Sequence, residues 1–276
     1  MARLEAILPP SPVPIDWNES IAFRWRVRYE NGRRVGYMQA IKNFALLKFD
    51  DVQHADKQKK IIKQNTQQFI QGKPANNVLM TGARGTGKSS LIKACLEYFA
   101  QQGLRLVEID KNDFVDLFDI VEILAPRPEK FILFCDDLSF EEGETGYKAL
   151  KVALDGSVAT QSNNILIYAT SNRRHLLPER YSDNATYSRS EAGDLHPSET
   201  VEEKISLSER FGIWLSFYPF NQEEYLDIVS YWLSEFGVKG GLTEELRTEA
   251  LQWALQRGSR SGRIAWQFAK DCAGKI

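Results

Sequence analysis

Between residues 22 and 37 apolar and charged positions alternate: Phe23, Trp25, Val27 and Tyr29 are interleaved with Arg24, Arg26 and Arg28. A repeat of two marks a strand with one dry and one wet face. Asn31-Gly32 follows, a pair that accepts the positive φ angles of a type I′ turn. The segment therefore predicts a β-hairpin. From Ala55 to Gln71 the repeat becomes helical, with Ile61, Ile62, Phe69 and Ile70 on one side. Short apolar runs then alternate with helical patterns. Strands are expected at 77–81, 104–109, 130–135, 164–170 and 213–218, and helices at 87–102, 112–124, 145–160 and 201–209. Strands that are apolar throughout are buried on both faces, so the pattern predicts an α/β fold: a five-stranded parallel sheet with helices on both faces.

After Phe220 the strand pattern stops. Asn221 with Glu224 reads as a capping box. Tyr225, Ile228, Val229, Trp232, Leu233 and Phe236 then form one helical stripe. Further helices are expected at 243–256 and 260–272, with Trp232, Trp253 and Trp266 in the core of a small all-α unit. Pro9, Pro10, Pro12 and Pro14 predict a stiff, extended arm ahead of the hairpin. The expected division is an arm and hairpin at 1–48, an α/β domain at 49–220 and a helical domain at 221–276.

Composition narrows the chemistry. The 276 residues carry 35 Lys+Arg against 37 Asp+Glu, a net charge of -2. That excludes nucleic-acid binding by bulk charge and leaves only local patches open. Cys95, Cys135 and Cys272 are far apart, lack zinc-ligand spacing and are odd in number, which argues against a disulfide scaffold and for a reducing compartment. His54, His175 and His196 are dispersed, with no triad or zinc spacing. No run approaches the roughly 20 apolar residues that span a bilayer. The N-terminus also lacks the pattern of a secretory leader. A cytoplasmic location is the expectation.

Two motifs carry chemistry. Gly82, Ala83, Arg84, Gly85, Thr86, Gly87, Lys88 and Ser89 match G-x-x-x-x-G-K-[ST], preceded by an apolar strand and followed by a helix. Glycines let backbone amides turn inward around phosphate oxygens, and the helix N-terminus adds partial positive charge. Lys88 is suited to the β- and γ-phosphates and the Ser89 hydroxyl to Mg²⁺. Ser90 continues the loop into the helix. The second motif is Phe131-Ile-Leu-Phe-Cys-Asp136-Asp137, an apolar strand ending in two carboxylates. Ligands of open α/β sheets sit beyond the carboxyl ends of the strands. Asp136 is thus the expected partner of the metal, and Asp137 the expected general base for an attacking water.

In this order the phosphate loop, the acidic strand, Tyr168-Ala-Thr-Ser-Asn172 and Leu207-Ser-Glu-Arg210-Phe-Gly212 resemble the AAA+ ATPases. Ala75-Asn-Asn-Val-Leu, Thr81-Gly-Ala-Arg-Gly-Thr-Gly-Lys-Ser-Ser90, Phe134-Cys-Asp-Asp-Leu-Ser139 and Ala169-Thr-Ser-Asn-Arg-Arg-His175 are similar to a family of predicted bacterial AAA+ ATPases of unknown biological role. The resemblance covers residues 20–274. It implies a P-loop NTPase fold with an α-helical lid, ATP and Mg²⁺ as ligands, and a head-to-tail homo-oligomer. Asn172 matches the polar residue that orients the attacking water, and Arg210 the arginine finger that reaches ATP held by a neighbour. Thr200 with Glu203 predicts a cap for the helix ahead of Arg210. Arg263 matches the lid arginine that reaches the phosphates, with Arg260 as its rival. Phe49-Asp50-Asp51-Val52 matches the stretch that packs on adenine.

Asp137 departs from the usual pattern, which has Glu there; the initiator and helicase-loader branch often has the same Asp-Asp pair. Two functions follow: an ATPase that couples hydrolysis to conformational change on a macromolecular partner, or a nucleotide-gated loader or adaptor switch with very slow hydrolysis, acting on DNA-associated proteins. A small-molecule kinase fits the helical tail and the Arg210 context less well. Two segments stay open. The arginines of the hairpin suit single-stranded nucleic acid or the wet side of a half-buried strand, and the alternation favours the second. The polar stretch Asp183 to Glu203 suits a loop that contacts partners or a ring pore, or a solvated one.

Overall fold

In the computed structural model, which describes residues 15–140, 145–154, 163–172, 188–189, 195–196 and 209–275, the alternating segment forms β1 (Ala22–Glu30) and β2 (Arg33–Ala40). Asn31 and Gly32 take φ of 49° and 75° between them, as a type I′ turn requires. β1 and β2 pair antiparallel from Phe23↔Ala40 to Glu30↔Arg33.

The parallel strands are β3 (Val78–Gly82), β4 (Leu104–Glu108), β5 (Lys130–Cys135), β6 (Ile165–Ser171) and, after a two-residue ribbon of β7 (Ser188–Arg189) and β8 (Leu195–His196), β9 (Ile213–Phe217). The sheet order is β2-β1-β4-β5-β6-β3-β9. This corrects the expected five-stranded parallel sheet: the sheet has seven strands and is mixed. The hairpin joins its edge because β1 runs parallel to β4, with Ala22↔Leu106 and Phe23↔Val107 in register. An uncovered β4 would present a row of unpaired backbone groups. Pairing satisfies them and buries Phe23 and Trp25.

Alternate residues of the strands feed two cores. Leu133, Ile167 and Leu79 join Phe23 and Trp25 under α3 (Leu117–Leu124) and α4 (Thr145–Leu154). Ile132, Phe134, Tyr168 and Met80 face α1 (Asp56–Ile70) and α2 (Lys88–Phe99). The helix expected over 112–124 splits: Asp110 accepts from the Asn112 N–H and opens a 3₁₀ turn, Lys111–Asp116, before α3 begins. The lid is α5 (Gln222–Glu235), α6 (Glu244–Gln256) and α7 (Gly262–Ala273), packed on its own core around Tyr225, Val229, Ala265 and Phe268. The Asn221–Glu224 capping box forms as expected. The N-terminal proline arm, the far end of the helix expected over 145–160, residues 201–208 of the helix expected over 201–209 with its Thr200–Glu203 cap, and most of the Asp183–Glu203 stretch lie outside the described residues.

The hairpin's side chains decide between its two readings. Trp25 is buried and its indole N–H donates to Asp116 at 2.9 Å. Arg24 pairs with Glu108. Arg34 pairs with Asp113 and Asp116, and Arg28 with Glu30. Phe23 and Trp25 are core, not a stacking platform, while Tyr29 at the hairpin tip is exposed. Trp25→Ala is expected to cost about 3–5 kcal/mol of stability by urea denaturation, the range for emptying a buried aromatic site. A cost below about 1 kcal/mol would show that the hairpin does not share the cooperative core.

Candidate functional site

β5, β6 and β3 are adjacent and parallel, so the segments that follow them emerge at one edge of the sheet. Asp136 and Asp137 follow β5, Asn172 follows β6, and β3 ends in Gly82. Residues 82–89 bend there on three glycines, Gly82 (φ 131°), Gly85 (φ 71°) and Gly87 (φ 99°). At Gly82 a Cβ would stand 1.9 Å from the Phe217 carbonyl oxygen, so this close approach of β3 to β9 requires glycine. Gly87 is the left-handed cap from which α2 starts at Lys88. The unsatisfied amides of that helix end face a cleft of about 740 Å³, lined by Arg84 to Ser90, the acidic pair and the lid.

Inside the cleft the expected residues meet. Lys88 is only 6% exposed, and its ammonium donates to the carbonyls of Gly82 and Ala83 at 2.6 and 2.7 Å and to Asn172 Oδ1 at 3.1 Å. Burial pushes the Lys88 pKa down, while the Asp136 and Asp137 carboxylates push it back up. The Ser89 hydroxyl donates to Asp136 Oδ1 at 2.6 Å. Asn172 Nδ2 donates to Asp137 Oδ1 at 2.5 Å, and Arg84 stands 3.5 Å from Asp137 Oδ2. Asn172 thus touches both the loop lysine and the expected base. Thr86 closes the loop on itself, its hydroxyl donating to the Ala83 carbonyl at 2.8 Å.

Asp137 has φ 55°, a left-handed conformation that costs a residue with a side chain about 1 kcal/mol. Two bonds from Thr170 hold it. The Asp137 N–H donates to Thr170 Oγ1 at 2.9 Å and the Leu138 N–H to the Thr170 carbonyl at 2.6 Å. The Thr170 hydroxyl itself donates to Asp136 Oδ1 at 2.6 Å. Sequence reasoning missed this residue, since its partner lies 34 positions away.

The lid meets the loop directly. Gly262 N–H, at the start of α7, donates to the Gly85 carbonyl at 2.8 Å, and a Cβ on Gly85 would stand 2.7 Å from Ser261 Cβ. Arg263 lines the cleft; Arg260, before the helix begins, lies outside it. Away from the loop the lining turns apolar, with Leu47 and Val52 on one side and Phe220, Ile228, Trp232 and Trp266 on the other. Trp232 packs on the lid core and also reaches the cleft. Trp266, expected in that core, is half-buried on the cleft wall. Of the stretch 49–52, Asp51 and Val52 line the cleft, whereas Phe49 packs against Tyr98 and Lys63. Tyr231 of α5 donates to Asp51 at 2.6 Å, tying the lid to that stretch.

Arg210 is not brought to this cleft. It precedes β9, whose Ile213 pairs with Val78 while Phe217 pairs with Gly82. Arg210 therefore stands at the amino edge of the sheet, a strand length of roughly 17 Å from the loop.

The donor set fits a magnesium–triphosphate group. Ser89 and Asp136 offer two hard oxygens in hydrogen-bond contact. Among the described residues no cluster of three or more His, Cys, Asp or Glu forms a separate metal cage. Magnesium suits such a site, because it takes few protein ligands and fills its shell with water and phosphate. Among the described residues no helix is long and apolar enough to cross a membrane.

A family model described as "Protein of unknown function (DUF815)" matches residues 18–276. No curated protein matches. Among solved structures, the RuvB Holliday junction branch migration motor of Thermotoga maritima is 17% identical, with 81% of this chain and 63% of that chain covered and a TM-score of 0.52. The FIGL-1 AAA domain in complex with ADP is 18% identical, with 83% and 74% covered and a TM-score of 0.48. The chain thus spans less than two thirds of the RuvB chain it matches. The RuvB likeness is one of fold.

Proposed function

This chain belongs to the DUF815 family, and from that premise we propose that it is an ATPase which couples hydrolysis of ATP to movement of its helical lid on a macromolecular partner. The observation that supports this reading best is the convergence of Lys88, Asp137 and Asn172 in one hydrogen-bonded set beside the Ser89–Asp136 pair.

In this proposal residues 82–90 wrap the triphosphate with backbone amides, and Lys88 moves from the Gly82 and Ala83 carbonyls to the β- and γ-phosphate oxygens. Ser89 and Asp136 would hold Mg²⁺, which would neutralise phosphate charge there. Asp137 accepts the proton of the attacking water, and Asn172 orients that water. Val52 and Trp266, on the apolar part of the cleft wall, flank the adenine. Arg263 carries the phosphate state into α7, and the Gly262–Gly85 contact gives the loop a direct grip on the lid. Arg210, at the far edge of the sheet, acts on nucleotide bound to another copy, so assembly is head-to-tail. The unit at 221–276 moves against the α/β domain at 49–220, and the hairpin β1–β2 of the segment 1–48 stays on the sheet edge. The protein works in the cytoplasm on a protein partner, with ADP as product.

One observation favours a slower, switch-like variant. The Asp137 carboxylate is short and already engaged by Asn172 and Arg84. Freeing it precedes each turnover, which suits a nucleotide-gated loader or adaptor.

The test is phosphate release from ATP with Mg²⁺, paired with calorimetric ATP binding. Wild type is expected to bind ATP and release phosphate, slowly if the switch variant holds. Lys88→Ala is expected to weaken ATP binding about 10- to 100-fold, the worth of charge-assisted hydrogen bonds. Unchanged affinity in Lys88→Ala would contradict this placement of the triphosphate.

A further inference from the structure

Two adjacent aspartates with separate tasks need separate placement, and the structure supplies one hydroxyl that bonds to the carboxylate of the first and the backbone N–H of the second. Thr170 is buried in β6, at 1% exposure, in register with Met80 of β3. Its hydroxyl donates to Asp136 Oδ1 and accepts the Asp137 N–H. A hydroxyl does both at once with its one proton and its lone pairs. Valine has the same shape and can do neither, while serine can do both.

We infer that Thr170 is the positioning residue of the acidic turn: its hydroxyl orients the Asp136 carboxylate toward Ser89 and holds Asp137 in its left-handed backbone conformation. The two tasks are linked through one oxygen. The proton on Thr170 Oγ1 goes to Asp136, which leaves the lone pairs to the Asp137 amide. Asp136 Oδ1 receives Ser89 and Thr170 from two sides, so its plane is set by β6 as well as by α2. Asp137, with its amide fixed, presents its carboxylate to Asn172 rather than following the strand direction. Thr170 touches no reacting atom in this account and acts only through its two neighbours. Its effect on turnover rests on the ATPase reading above; its effect on the turn does not.

The experiment uses the full chain without nucleotide or metal, as wild type, Thr170→Val and Thr170→Ser. Amide hydrogen exchange is followed by NMR at Asp137 and Leu138. Exchange at Asp137 is expected to speed up about tenfold or more in Thr170→Val, the equivalent of one lost hydrogen bond. It is expected to return toward wild type in Thr170→Ser. Leu138 is held by the Thr170 main-chain carbonyl, which neither substitution removes, and is expected to keep its protection. An Asp137 amide equally protected in Thr170→Val would overturn the inference. So would equal deprotection of both amides with no rescue by serine, since that marks general loosening of the strand end. With ATP and Mg²⁺, Thr170→Val is expected to lower kcat roughly 10- to 100-fold with KM little changed, as for loss of a supporting contact, and serine to restore it. An inactive wild type would count against the ATPase reading, and the exchange result would still decide the role of Thr170.

Discussion

Arg210→Ala is expected to lower the rate of ATP hydrolysis by about 10³-fold or more, the effect of removing an arginine finger, while ATP affinity of the isolated chain stays near wild type. The reason is placement. Lys88, Ser89, Asp136, Asp137 and Asn172 share one end of the cleft, but Arg210 stands at the opposite edge of the sheet, where Ile213 pairs with Val78. No rotation of its side chain spans a strand length of roughly 17 Å. In the proposed reading the guanidinium so placed serves a nucleotide on another copy. Wild-type turnover per chain is expected to rise with protein concentration, and that of Arg210→Ala to stay flat. Mixing Arg210→Ala with Lys88→Ala is expected to recover part of the activity, because one partner keeps the nucleotide site and the other keeps the arginine. A concentration-independent wild-type rate, or an unaffected Arg210→Ala protein, would remove the arginine from catalysis in trans.

Asp137→Asn is expected to lower turnover by about 10²–10⁴-fold, the usual contribution of a general base, and to leave ATP binding intact. Asparagine preserves the shape, still accepts from Asn172 and tolerates the φ of 55° that this position adopts. What it loses is the proton-accepting carboxylate. Single-turnover phosphate release measures the loss, and calorimetry the retained affinity. Full activity in Asp137→Asn would assign the base elsewhere.

The sequence made the loop legible because its glycines answer local demands. A chain that turns back on itself at 82–87 needs positive φ, and only that spacing delivers Lys88 at a helix start. The central parallel strands were legible for the same kind of reason, since β5 and the first half of β6 are apolar runs buried on both faces. Pairing between distant segments was not. β1 alternates as any half-buried strand does, and only the free edge of β4 explains why it completes the sheet there. Arg260 and Arg263 looked alike until the start of α7 at Gly262 placed the second in the cleft. Trp266 lies on a helical stripe that reads as core, yet its register turns it to the cleft wall. Thr170 lies within the stretch Tyr168–Asn172, but nothing local marks its own role. Its importance lies in a hydroxyl meeting two residues of the turn that follows β5.

The account as a whole rests on a triphosphate lying in the bend at residues 82–89. Crystals of the full chain grown with Mg²⁺ and a non-hydrolysable ATP analogue test this most directly. The account predicts β- and γ-phosphate oxygens within hydrogen-bond reach of the loop amides and of Lys88 Nζ, with Lys88 released from the Gly82 and Ala83 carbonyls. A nucleotide seated elsewhere, or one whose phosphates point away from Lys88, would contradict it.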